Sequence, residues 1–410
     1  MAKASPGFTN FTAGELSPRL DGRTDVGKYF NGCKKLQNFV VHPHGGASRR
    51  PGTIFVREVK NSAHNVRLIP FEFNVTQTYI LEFGDQYFRI HKDGGTVVSS
   101  GSPVEVTTPY AHTDLDKLKF TQSADVMYLV HPDFAPRKIT RTSHTAWTIA
   151  EVDLLRGPMA EDNTTSTTLL ANGRTGTVTI TASANTFASN DVGRLVRLHD
   201  GFAKITVFTD AQNVNATVQE NADGRTELMP SYTATTLSAH EGDPSATGLE
   251  HNDRFQDSAG QFIAQGFKVG MKVSVSGFTD ANNNESSAIV VKVTDDTLLL
   301  APSSDLTDEA AGDSVTISGD LTASTDWALG AFSASTGYPA AVAFYEQRLV
   351  FASTTEQPQT LFFSVGGSFE DFAAGTDADD ALTYTLGSNQ VNIIRYLQAG
   401  RVLLVGTSGG

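Results

Sequence analysis

The sequence predicts an all-β chain: a propeller-like meander platform, interrupted by an inserted pair of small β-modules, with little helix. Three observations carry this. Short runs rich in Val, Thr, Phe and Tyr alternate apolar and polar residues, which places one side of an extended strand against a core. Turn residues punctuate these runs at short intervals. Apolar residues at helical spacing are scarce.

The elements follow in order. Arg67 to Phe73 reads as a strand, and Tyr79–Phe83, Gly84-Asp85-Gln86 and Tyr87–His91 read as a hairpin with aromatic-rich arms. Pro109 to Phe120 offers Thr113 and Asp114 as a helix start and spaces Leu115 and Leu118 three apart, which predicts a short helix or turn leading to the strand at Val126. Further hairpins are predicted for 126–131 with 136–141, for 341–345 with 348–352, and for 393–397 with 401–406. Repeated meanders of near-equal strands are what propeller blades look like in sequence, and a sandwich would also produce them.

The middle of the chain differs, being rich in Thr, Ser, Ala, Asn and Asp with fewer aromatics. It contains an echo. Phe187 to Leu198 and Phe262 to Val275 each read Phe, a spacer, Val-Gly and an alternating strand, and each precedes Phe-Thr-Asp-Ala (Phe208–Ala211 and Phe278–Ala281). Stretch 226–252 and the tracts 161–168 and 303–314 read as linkers. The expected organisation is therefore 1–158 for an N-terminal arm and the first meanders, and 159–326 for the insert, with modules at about 165–225 and 253–322. Residues 327–410 return to the platform. The chain ends on a strand that has just turned back, so the platform is expected to be incomplete at Gly410.

Bulk properties narrow the function classes. With 410 residues the chain is long enough for two or three domains. No stretch approaches the roughly 20 uninterrupted apolar residues of a membrane helix, and Met1 to Gly7 lacks the apolar core of a signal peptide. The single cysteine, Cys33, rules out an intrachain disulfide and a CxxC metal site. A net charge of −14 disfavours wrapping of DNA, which needs clustered Lys and Arg, and suits either solubility or a surface that DNA passes without sticking.

The first sixty residues are the most specific. They contain Gly14-Glu15-Leu16-Ser17-Pro18-Arg19-Leu20-Asp21-Gly22-Arg23-Thr24-Asp25, then Leu36-Gln37-Asn38-Phe39-Val40-Val41, and then Gly45-Gly46-Ala47-Ser48-Arg49-Arg50-Pro51-Gly52-Thr53, read as a sharp turn before a strand. With Arg67–Phe73, Tyr79–Ile90, Phe344–Ala352 and the Leu361–Phe372 segment, this set resembles the tail nozzle proteins of short-tailed bacteriophages, also called tail tubular protein B. The resemblance covers about the first 155 and the last 80 residues. It implies a structural virion protein that forms a homo-oligomeric ring, six copies by family pattern. That ring would extend and close the DNA ejection channel below the portal and the head-to-tail adaptor ring.

Tail fibres or spikes are the other implied partners. Viral DNA would pass without specific binding, and the host envelope would be met indirectly. The implied location is the virion tail, assembled in the host cytoplasm. A mixed-charge arm either solvates or docks on a partner, and the resemblance implies docking, so Glu15, Arg19, Arg23, Asp25, Tyr29, Asn38, Arg49 and Arg50 are the candidate assembly-interface residues. The alternative reading is a peripheral host-receptor or glycan-binding tail protein, with the insert as its binding module.

No enzyme is expected: the chain has no Walker-type loop or HExxH. No cofactor or metal is expected either. His42 and His44 flank a proline without a third ligand at zinc-site spacing. Asn282 to Glu285 and the Asp295–Asp296 and Asp377–Asp380 clusters lack a calcium-loop pattern and read as turns.

Overall fold

The computed structural model describes residues 8–221, 224–243, 245, 247, 251–302, 305–387 and 390–409. The Met1–Gly7 opening, parts of the expected linkers (244, 246, 248–250, 303 and 304) and Gly410 lie outside the described residues. The fold is nearly all β, with 43% of residues in strands, 5% helical and no helix of seven or more residues. The chain divides into two compact units, 1–58 with 93–96, and 59–92 with 97–410.

The first unit is thin. Gly14–Glu15 pairs in parallel with Gly32–Cys33, and two 3-10 turns, Pro18–Leu20 and Gly27–Asn31, lie between them. Phe39–Val41 forms a hairpin with Ala47–Arg49. The expected turn at Arg49–Gly52 is therefore displaced. The chain reverses at Gly45, whose φ of +103° suits glycine, and Arg49 ends the returning strand. Thr53 to Val56, expected as a strand, has the right side chains but no ladder, and residues 51–59 carry no regular structure.

The second unit holds the cores. In one sheet, Glu105–Thr107, Tyr87–Lys92, Gln77–Gly84 and Arg67–Asn74 lie in that order, all antiparallel. Lys119–Ser123, Val126–His131, Phe134–Arg141 and Trp147–Glu151 form a four-stranded meander. The two share one core, where Phe71 meets Trp147 with ring centroids 4.9 Å apart. The segment expected to be helical contributes only the 3-10 turn Leu115–Lys117, and Lys119–Ser123 is strand. Leu115 and Leu118 are buried here by tertiary packing, which three-residue spacing alone does not distinguish from a helix.

A second four-stranded meander runs Ala341–Tyr345, Arg348–Ala352, Thr360–Phe363 and Leu382–Thr385. Its first turn, Glu346-Gln347, has both residues at positive φ (47° and 59°), the twist that tight hairpins require. Phe351 and Phe362 face Tyr128 and Val130 across a core shared with the first meander. The final strand, Leu382–Thr385, is exposed at every residue, and Ile394–Ala399 pairs separately with Leu403–Thr407.

The middle of the chain forms two further sheets with their own cores. One has six strands in the order Leu169–Ala171, Thr177–Ala182, Asn213–Gln219, Gly201–Phe208, Leu195–Leu198 and Trp327–Leu329. The other has seven, in the order Ser231–Ala234, Val315–Gly319, Lys272–Ser276, Ala288–Val293, Thr297–Leu300, Arg254–Asp257 and Leu237–His240. Its first and last strands are sequence neighbours, so this sheet is nearly closed, like a barrel. Two of its strands come from stretch 226–252, read from sequence as a linker. Leu228, Met229, Leu237 and Ala239 there are all buried, but runs of four residues are too short to show a period.

The echo has a structural counterpart. Gly193 and Gly270 both sit at φ +90°, and both donate their N–H across the sheet at 2.8 Å, to Ile205 and Val290 respectively. Phe187 and Phe262 are both buried. Asp210 and Asp280 each accept the N–H two residues on, at 2.8 and 3.0 Å. The chain enters and leaves this region along one seam, where Met159 bridges Gly330, Ala160 N–H meets Leu329 O at 2.8 Å and Leu169 bridges Ser324.

Candidate assembly surface and histidine–aspartate cluster

The first unit has almost no interior. Among described residues 8–58 only Gly32 and Gly45 are buried. Large apolar side chains lie open instead: Ile54 is 86% exposed, Phe55 78%, Phe30 60% and Phe8 59%, with Phe39, Val40 and Val56 also exposed. A contiguous stretch such as Thr53-Ile54-Phe55-Val56 offers free backbone groups as well as apolar surface.

The eight candidate interface residues all fall in this unit, and the structure sorts them. Arg23 forks onto Asp25 at 2.7 and 2.6 Å, which holds the Asp25 carboxyl below its ordinary value. Asn38, at φ +62°, accepts Arg50 Nε at 2.8 Å, while its carbonyl takes the Arg50 N–H at 2.9 Å. Glu15 accepts the Leu36 N–H at 2.7 Å, and the Tyr29 hydroxyl accepts the Gly22 N–H at 3.4 Å. These six shape the arm from within. Arg19 and Arg49 are exposed, and neither guanidinium has an ion pair among the described residues. His42 Nε2 lies 2.8 Å from Ser48 Oγ and its ring stacks on His44. Cys33 is half-buried, its Sγ 3.7 Å from the Gly14 carbonyl.

The second unit carries a cluster that no sequence motif marks. Asp85 sits at the tip of the hairpin between Gln77–Gly84 and Tyr87–Lys92. Gln86, at φ +62°, donates its N–H to the Tyr110 carbonyl at 2.8 Å. Tyr110 is fully buried, and this fixes the following loop so that His112 N–H reaches Asp85 Oδ1 at 3.0 Å. That bond is the main reason the Asp85 carboxyl lies below its ordinary value. His64 comes from an Asx turn in which Asn61 Oδ1 accepts the Ala63 N–H at 3.0 Å.

The two imidazoles stack at 3.9 Å with planes 5° apart. Each Nδ1 stands 3.5 Å from an Asp85 oxygen, His64 at Oδ2 and His112 at Oδ1. No sequence signal gathers these three, because they lie on three separate loops with no fixed spacing. The Gly84-Asp85-Gln86 turn was legible, but its partners were not.

The acidic turns behave as plain structure. Asp280 and Asn283 are occupied by Thr307, Asn282 and Glu309, and Asp380 accepts the Asp377 N–H at 2.7 Å. No protein-family model matches the chain, and no curated protein is significantly similar to it.

Proposed function

We propose that this chain is a structural subunit of the tail of a short-tailed phage, a nozzle-ring protein whose N-terminal arm docks on a neighbouring copy. The observation that carries the reading is the arm itself. More than forty residues bury no large side chain and display Phe8, Phe30, Phe39, Ile54 and Phe55, and such a segment lacks the apolar burial that holds a chain in one shape.

A strand-prone, unpaired Thr53–Val56 fits addition to a sheet edge, and the exposed Leu382–Thr385 strand is an edge of the right kind. Head-to-tail contact of arm and edge is heterologous and closes into a ring when the rotation permits. Arg19 and Arg49 have forks free for carboxylates of a neighbour or of the adaptor ring, and an acidic chain offers many. The net charge of −14 suits a channel wall along which DNA slides. The motif resemblance of the flanking segments supplies the tail assignment. The role asks for no chemical step.

The test is native mass spectrometry of the purified full chain, alongside electron microscopy of virions. A closed ring on the tail axis is expected. A chain that stays monomeric at high concentration and is found off the tail axis would overturn the reading.

A further inference from the structure

We infer that His64, Asp85 and His112 form a binding site for one divalent transition-metal ion of the zinc class. The inference is independent of the role in a tail. Two imidazoles and one carboxylate are donors that zinc and its neighbours accept readily, whereas calcium and magnesium take oxygen.

The geometry fits ligands of one ion better than a hydrogen-bonded triad. The two N···O separations of 3.5 Å exceed the usual hydrogen-bond range. Two ligands bound at about 2.1 Å in a tetrahedron stand about 3.4 Å apart. The donor atoms of all three residues lie within 4.8 Å of one another.

The lone pairs point the same way. His112 Nδ1 is shielded from solvent and has no hydrogen-bond partner among the described residues. His64 Nδ1 lies 3.3 Å from Asn61 Nδ2, an amide nitrogen with only hydrogens to give, so the ring nitrogen is an acceptor whose single lone pair an ion would take over from Asn61. An acceptor nitrogen and a carboxylate facing each other repel unless a cation stands between them. The Asp85 carboxyl is already oriented by the His112 N–H, the outer support that ligating carboxylates generally have.

Closing on the ion requires each ring to leave the parallel stack by rotating about χ2, a broad torsion with little cost. Water would fill the remaining position. Bound metal would tie together three loops, at 61–64, 84–87 and 110–112, that now meet through the His64–His112 stack and the hydrogen bonds of His112 and Gln86, so its role is to clamp them.

The test titrates zinc chloride into the full chain by calorimetry, with X-ray absorption on the loaded protein. One equivalent should bind. His64→Ala, His112→Ala and Asp85→Asn should each weaken binding at least about tenfold, while a His42→Ala/His44→Ala chain binds as the parent does. X-ray absorption should show two imidazole nitrogens and a carboxylate oxygen at about 2.0–2.2 Å; because it is read on the parent chain, it stands even if a variant fails to fold. Absence of one-equivalent binding, unchanged affinity in the three variants, loss in the His42/His44 control, or a shell with fewer than two imidazoles would each overturn the inference.

Discussion

Replacing Ile54 and Phe55 together by serine separates assembly from stability. Both side chains are already in water in the single chain, at 86% and 78% exposure. Their loss should leave the thermal midpoint nearly unchanged, as for ordinary surface substitutions, within about 0.5 kcal/mol. Assembly is a different matter. Burying an aliphatic or aromatic side chain contributes about 1.5–3 kcal/mol, and roughly four-fifths of that remains to be gained at each residue. The pair is therefore worth about 2.5–5 kcal/mol per arm contact, which at 1.4 kcal/mol per decade is roughly a 60- to 4,000-fold weakening.

Mass photometry over a dilution series reads the shift in midpoint, and scanning fluorimetry on the same samples reads the stability. An unchanged assembly midpoint refutes the docking argument. A midpoint that holds while the melting temperature falls shows instead that the two residues are covered within the chain.

Three further outcomes follow from the second unit. Asp191 and Arg194 form a nearly solvent-free ion pair at 2.9 Å, with Arg194 also donating to the Gly330 carbonyl at 2.7 Å; Asp191→Ala strands the guanidinium and should cost about 3–5 kcal/mol in urea unfolding, and a loss under about 1 kcal/mol would contradict this. Burial holds the imidazoles of His131, His199 and His240 below their ordinary value, so the unfolded chain takes up protons first as pH falls. Their stabilisation is complete above the unfolded value of about 6.5 and declines below it. The melting temperature should therefore fall as pH drops below about 6.5, and a flat or rising profile there would refute the assignment. Gly277 has φ +106°, and a Cβ there would lie 2.4 Å from the Ser314 carbonyl oxygen. Gly277→Ala should cost more than about 1 kcal/mol, and native hydrogen exchange in Lys272–Ser276 shows whether it does.

Strands with large side chains on one face were legible in the sequence. Tyr79, Leu81 and Phe83 alternate in a way that only an extended chain can bury, and the Glu346-Gln347 hairpin announces itself by two arms of matched length. Short strands of small residues were not legible. Ser231–Ala234 and Leu237–His240 owe their place to the partners across the sheet, and composition alone reads them as linker. Thr53–Val56 failed in the opposite direction: its propensity favours a strand, but a strand exists only where a neighbour accepts its hydrogen bonds. The candidate site divides in the same way. The arm residues fall within one stretch of sequence, 15–50, where the charge pattern can be read directly, although six of the eight turn out to bond within the arm. Asp85 and His112 meet because Gln86 and Tyr110 bring two loops together, and His64 stacks on them from a third; loop closure of that kind leaves no periodic trace.

The seam at Met159–Gly330 and Leu169–Ser324 bears on how this chain can be edited. Paired antiparallel residues stand about 5 Å apart, a gap that a linker of a few residues spans. Joining the cut ends would remove the two middle sheets as one cassette, at the cost of the contacts that Asn221 and Lys204 make with Arg156 and Asp153 of the platform. The same two positions would accept a different domain whose own termini lie side by side. A chain built in this way can exchange what it carries in the middle while keeping the frame that carries it.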